Sequence, residues 1–169
     1  MFILISGTSG SGKSSYAEDR LQSLTGEKIY IATAKVYDAE MAERVRKHKA
    51  RREGKGFTTI ERSRNLGELE IPEDSCVLIE ALTTWLANEM FEGGDCDLFA
   101  DFQKLKAKAK HIILVTDYIF ADGIIYGDAT ENYIKKLAEL TIKFAAEADE
   151  VIECFAGLIY NYKLVQKNE

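Results

Sequence analysis

One short stretch, Gly7-Thr8-Ser9-Gly10-Ser11-Gly12-Lys13-Ser14, constrains this chain more than any other. It fits G-x-x-x-x-G-K-[ST], the phosphate-binding loop. Glycines there let backbone N–H groups close on phosphate oxygens, the lysine reaches the β- and γ-phosphates, and the hydroxyl meets Mg²⁺. The motif needs a strand before it and a helix after it. Residues 1–5 form an apolar run that reads as a buried strand. Residues 14–24 place Tyr16, Ala17 and Leu21 on one helical face, and a helix N-terminus adds partial positive charge at the loop. Gly7, Thr8, Ser9, Gly10, Ser11, Gly12, Lys13 and Ser14 are thus candidate nucleotide-binding residues. Lys13 is also a catalytic candidate and Ser14 a candidate Mg²⁺ ligand.

The remaining pattern extends this unit. Strand-like runs fall at residues 28–33, 57–61, 75–80, 111–116, 150–155 and 158–165, and helical periods at 38–52, 83–91, 98–110 and 130–148. A turn is read at 92–95 and a long loop at 117–129. Alternating strands and helices predict an α/β, P-loop NTPase-type three-layer fold: a mostly parallel sheet with helices on both faces. The last two strands are joined through Ala156-Gly157, too short for a crossover, so they should form an antiparallel hairpin at the C-terminal edge. Residues 1–169 read as a single domain, with no repeat or linker. Ligands in such sheets bind beyond the carboxyl ends of the strands. That rule gathers the glycine loop, Thr33, Ala34, Glu80, Thr83 and Asp117 on one rim.

Composition sets the partners. A net charge of −6 argues against a nucleic-acid partner in spite of the basic run at 44–55. Cys76, Cys96 and Cys154 form no C-x-x-C pair, which predicts reduced thiols in a cytoplasmic protein. The N-terminal apolar run has no basic leader and is too short for a signal peptide or a membrane span.

The helix at 38–52 carries a second constellation. Met41, Val45, His48 and Arg52 follow i, i+4, i+7, i+11 and share one face, with Arg44, Arg46, Lys47, Lys49 and Arg51 around it. A histidine among cations should have a lowered pKa and stay neutral, and a neutral imidazole is a nucleophile. The residues alone read more simply as a solvated basic helix whose histidine does nothing. Glu80 ends a buried strand, where a carboxylate needs a metal, a base or a ligand, or else caps the next helix. Thr83 either caps that helix or faces the site, and Trp85 reads as core.

These residues resemble a known family, the bifunctional adenosylcobinamide kinase / adenosylcobinamide-phosphate guanylyltransferases of cobalamin biosynthesis. The resemblance rests on the glycine loop, on Tyr30-Ile31-Ala32-Thr33 with Asp38, Glu40-Met41, Arg44-Val45, His48, Arg52, Phe57, Thr59 and Glu61, and on Leu78-Ile79-Glu80-Ala81-Leu82-Thr83 with Trp85 and Asn88. It implies phosphorylation of adenosylcobinamide by ATP or GTP, then GMP transfer from GTP through a guanylylated histidine matched here by His48. It further implies Thr33, Ala34, Arg52, Glu61 and Glu80 as nucleotide-binding residues, Glu80 as an active-site acid, and Ser14, Glu80 and Asp117 as Mg²⁺ ligands. The partners would be the corrinoid substrate and nucleotides, in a homo-oligomer that is a trimer by family analogy.

The chain departs from the family where Lys47 stands for the first of two adjacent histidines and Gly10 for an arginine. It departs again at Asp117-Tyr118-Ile119-Phe120, Gly123-Ile124-Ile125-Tyr126, Ile134-Lys135 and Thr141-Ile142. Those departures keep two other readings open: a P-loop kinase of another small molecule, and a nucleotide-dependent binding or regulatory protein.

Overall fold

The computed structural model describes residues 1–93, 97–119 and 124–163. Seven strands form one sheet: β1 (Phe2–Gly7), β2 (Lys28–Ala32), β3 (Thr58–Glu61), β4 (Cys76–Glu80), β5 (His111–Asp117), β6 (Glu150–Phe155) and β7 (Leu158–Lys163). Their order is β3-β2-β4-β5-β1-β6-β7. The first five junctions are parallel and β6–β7 is antiparallel, as the two-residue connection requires. Ala156 and Gly157 make that turn with φ of 50° and 79°, the double positive-φ geometry that matches hairpin twist.

Helices α1 (Lys13–Ser23), α2 (Ala39–Arg52), α3 (Leu82–Glu92), α4 (Leu98–Lys108) and α5 (Asp128–Glu147) complete the layers. Alternate strand residues feed opposite faces. Phe2, Leu4, Val77, Ile79, Ile112 and Leu114 pack against Trp85, Phe102, Leu137 and Phe144 from α3, α4 and α5. Ile3, Ile5, Leu78, Ile113 and Val115 pack against Ala17 and Leu21 of α1. The result is the predicted P-loop NTPase-type three-layer fold. Trp85 is fully buried, as expected. Asp38 caps α2 by accepting the Met41 N–H at 2.7 Å.

Several details differ from expectation. α5 begins at Asp128, two residues early, where Asp128 and Glu131 favour the first turn. The polar connection after β3 does carry the one helical turn its residues suggest, the 3₁₀ turn Leu66–Glu68. Lys104, Lys106, Lys108 and Lys110 read from the sequence as a solvated face, but Lys108 is anchored: its Nζ donates to Leu69 O at 2.8 Å and Gly67 O at 3.2 Å. Glu80 does not cap α3, because the Ala81 N–H is met by Thr84 Oγ1 at 3.3 Å and by Thr33 Oγ1 at 2.8 Å. Cys76 and Cys154 are free and buried. Cys96, the end of the turn read at 92–95, the Phe120 and Gly123 positions, and the last two residues of the strand read to 165 lie outside the described residues. No helix among the described residues is long and apolar enough to cross a membrane.

Candidate functional site

Strand register builds the site. Gly7 pairs with Asp117, and Ala32 with Glu80, so both acids emerge at the carboxyl rim beside the glycine loop. Gly12 has φ 94° and opens α1, a conformation glycine adopts without a Cβ penalty. Gly7 lies in a tight approach, since a Cβ there would stand 2.4 Å from Ser11 Oγ and 2.6 Å from Cys154 O. The Gly157 N–H donates to Ser11 O at 3.1 Å, so the C-terminal hairpin buttresses the loop.

Above this rim opens a cleft of about 520 Å³. Ser9, Gly10, Gly12, Lys13 and Ser14 line it from the loop, Met41, Val45, His48 and Arg52 from α2, and Ala34, Glu80 and Asp117 from the sheet rim. Lys13 Nζ donates to Thr8 O at 3.1 Å and pairs with Asp117 Oδ1 at 2.7 Å. Asp117 Oδ2 accepts from Thr83 Oγ1 at 2.7 Å, so Thr83 faces the rim rather than capping α3. Glu80 accepts from the Ser14 hydroxyl and from the Tyr30 phenol. His48 Nδ1 stands 3.8 Å from Glu80 Oε1.

Electrostatics follow from this crowding. The His48 pKa is lowered, chiefly by burial. Arg51 and Arg52 lower it further and Glu80 opposes them. The predicted direction therefore holds, although burial outweighs the neighbouring cations. Tyr30 is pushed far up, first by burial and then by Glu80, which keeps its phenol a hydrogen-bond donor. The Arg52 guanidinium lies 3.7 Å from the Tyr30 ring centroid. It is buried, and its Nε has no hydrogen-bond partner among the described residues. A desolvated cation with no carboxylate paired to it among the described residues is costly, so the cleft has an electrostatic opening for a negative group.

Ser14 and Glu80 present hard oxygen donors side by side, the chemistry Mg²⁺ prefers when phosphates and water complete its octahedron. Asp117 is engaged by Lys13 and Thr83. Two other predicted residues stand apart from the cleft. Thr33 is fully buried, and its hydroxyl donates to Ala81 O at 2.9 Å and contacts Thr84. Glu61 pairs with Lys49 at 2.5 Å beside a separate groove. Gly7 and Ser11 lie beneath the loop, with the Ser11 hydroxyl buried and unpartnered among the described residues.

A family model for cobinamide kinase / cobinamide phosphate guanyltransferase matches residues 3–162. The chain belongs to that family. It is similar to the bifunctional adenosylcobalamin biosynthesis protein CobU of Escherichia coli (strain K12), 31% identical over 94% of this chain and 97% of the relative. The Salmonella typhimurium protein of the same name is also 31% identical, over 94% and 97%. Among solved structures, the flagellar accessory protein FlaH from Methanocaldococcus jannaschii shares the fold at TM-score 0.51 and 15% identity, covering 96% of this chain and 78% of that one.

In this member of the family Tyr30, Arg51 and Glu18 take roles that sequence reasoning did not assign. Tyr30 both steadies Glu80 and floors Arg52; a tyrosine inside an apolar strand needs a partner for its hydroxyl, which is the available signal. Arg51 reaches across from α2 to Glu18, and Glu18 is buried on α1. An acid on the same stripe as Ala17 and Leu21 hints at that burial, but its partners come from another element.

Proposed function

We propose that this chain phosphorylates the aminopropanol hydroxyl of adenosylcobinamide with ATP or GTP, then transfers GMP from GTP to adenosylcobinamide phosphate through His48. The observation that carries this reading is the convergence of His48 with Ser14 and Glu80 in one cleft. A nucleophile and a phosphate loop that share a cleft can act on the same triphosphate. The family description names a cobinamide kinase and a cobinamide phosphate guanyltransferase, and the relatives are named bifunctional adenosylcobalamin biosynthesis proteins, which supports this reading.

In the first step the substrate hydroxyl oxygen bonds to the γ-phosphorus, the bond from that phosphorus to the β–γ bridging oxygen breaks, the nucleoside diphosphate leaves with that oxygen, and the hydroxyl proton passes to water. Loop N–H groups and Lys13 hold the developing charge. Mg²⁺, held by Ser14 and Glu80 with Asp117 nearby, supplies charge neutralisation when bound. In the second step an unprotonated His48 nitrogen bonds to the α-phosphorus of GTP as the α–β bridging P–O bond breaks and pyrophosphate leaves. A phosphate oxygen of the acceptor then bonds to that phosphorus, the P–N bond breaks, and the imidazole is restored. In this reading Arg52 receives a phosphate of either substrate.

The test is incubation of the pure protein with Mg²⁺ and GTP labelled at the α-phosphate, beside His48→Ala. An acid-labile protein label, absent from His48→Ala and discharged by adenosylcobinamide phosphate, is the expected result. Nucleotide binding without label would remove the guanylyl-transfer step. Phosphoryl transfer to another small alcohol would then mark a different kinase, and binding without turnover a nucleotide-dependent binding protein.

A further inference from the structure

The helix that carries His48 has little apolar grip on the body of the protein. Among the described side chains of α2 only Arg52 is buried. A helix without a buried apolar stripe is not located by the hydrophobic effect, so polar contacts must set its place.

A buried carboxylate supplies them. Glu18, four residues past Ser14 on α1, is 0% exposed. Its oxygens accept from Arg51 Nη2 at 2.6 Å, from Arg51 Nε at 3.1 and 3.2 Å, and from Lys55 Nζ at 2.8 Å. Such a carboxylate holds its cations firmly, because separating them leaves an uncompensated buried charge. The two cations come from the last turn of α2 and the residues just after it. Arg51 also donates to Ser15 Oγ at 3.4 Å and approaches His48 Nδ1 at 3.4 Å.

We propose that Glu18 is the positioning residue that seats His48 over the phosphate loop. It ties α2, through Arg51 and Lys55, to the helix that begins in that loop, so the nucleophile and the triphosphate site share one frame. This inference rests on the reading of His48 as the guanylyl acceptor. Formation of the P–N bond with departure of pyrophosphate requires near-contact alignment, and a misplacement of about 1 Å costs about a hundredfold. Nucleotide capture rests chiefly on the loop, and the contribution of α2, an ion pair from Arg52, tolerates a small misplacement that bond formation does not. Loss of Glu18 should therefore separate the two.

The experiment compares the full chain with Glu18→Gln and Arg51→Lys. It follows the initial rate of protein labelling from α-labelled GTP, the affinity for a fluorescent GTP analogue, and the thermal midpoint. Glu18→Gln is expected to slow labelling about tenfold to a hundredfold while analogue affinity stays near wild type. Arg51→Lys keeps a cation against Glu18 and removes the fork beside His48, and it should slow labelling less, again with affinity preserved. It also serves if Glu18→Gln does not fold. Labelling at the wild-type rate in either folded variant would overturn the proposal. So would labelling and affinity falling together in step with lost fold, the signature of a merely structural role. A wild-type protein that binds the analogue yet takes no label would instead overturn the histidine reading, and the positioning role with it.

Discussion

Glu80 Oε1 lies 3.8 Å from His48 Nδ1, although one residue ends a buried strand and the other rides a surface helix. The carboxylate raises the proton affinity of the imidazole, while burial, Arg51 and Arg52 lower it and prevail. A depressed pKa means the ring is neutral above it and protonated below it. Labelling should therefore stay flat from pH 8 down past the usual histidine value of 6.5 and fall at lower pH. Glu80→Gln removes a raising influence and should move that acid limb to lower pH, and Arg51→Gln should move it up. Labelling rates across pH 5–8 check both signs, and a limb that moves up in Glu80→Gln would contradict the assignment.

Lys13 is held between Thr8 O and Asp117, in line with the loop. Lys13→Ala should lower kcat for phosphoryl transfer by about 10² to 10³, the usual cost of deleting one donor to developing charge. Steady-state kinetics with ATP at saturating acceptor measure it. A loss below about threefold would show that Lys13 does not meet the transferred group.

Arg52 combines a guanidinium stacked 3.7 Å from the Tyr30 ring centroid with a buried Nε that has no partner among the described residues. Arg52→Lys keeps the charge but loses the fork and the stack. The Kd for GTP should rise about tenfold, in keeping with a charge-assisted hydrogen bond of about 1.5–3 kcal/mol. Calorimetric titration reads it directly. Unchanged affinity for both GTP and the phosphorylated acceptor would leave Arg52 a structural stack alone.

Two substitutions test the scaffold. Gly7→Ala would drive a methyl against Ser11 Oγ and Cys154 O and should destabilise by about 1–3 kcal/mol. Trp85→Ala empties a fully buried site on the opposite face of the sheet and should cost about 3–5 kcal/mol. Urea unfolding monitored by circular dichroism compares Gly7→Ala with wild type, and the same for Trp85→Ala. Near-native stability in Gly7→Ala would mean the loop relaxes away from β6.

Local physics made much of this protein legible from its residues. The strand, glycine loop and helix at the N-terminus depend on hydrogen bonds and torsions within about twenty residues. So do the period of α2, which set Met41, Val45, His48 and Arg52 on one face, and the short Ala156-Gly157 link that forced an antiparallel edge. What the order of residues did not determine is where polar side chains meet across elements. Thr33 was expected at the nucleotide but turns inward to Ala81 and Thr84, Glu61 pairs with Lys49 at another groove, and Glu18 becomes a buried tether for the His48 helix. A strand's register against its neighbour and a helix's seat on the sheet are set by long-range packing. Only when those are in place does a carboxylate find itself dry and paired, or exposed and idle.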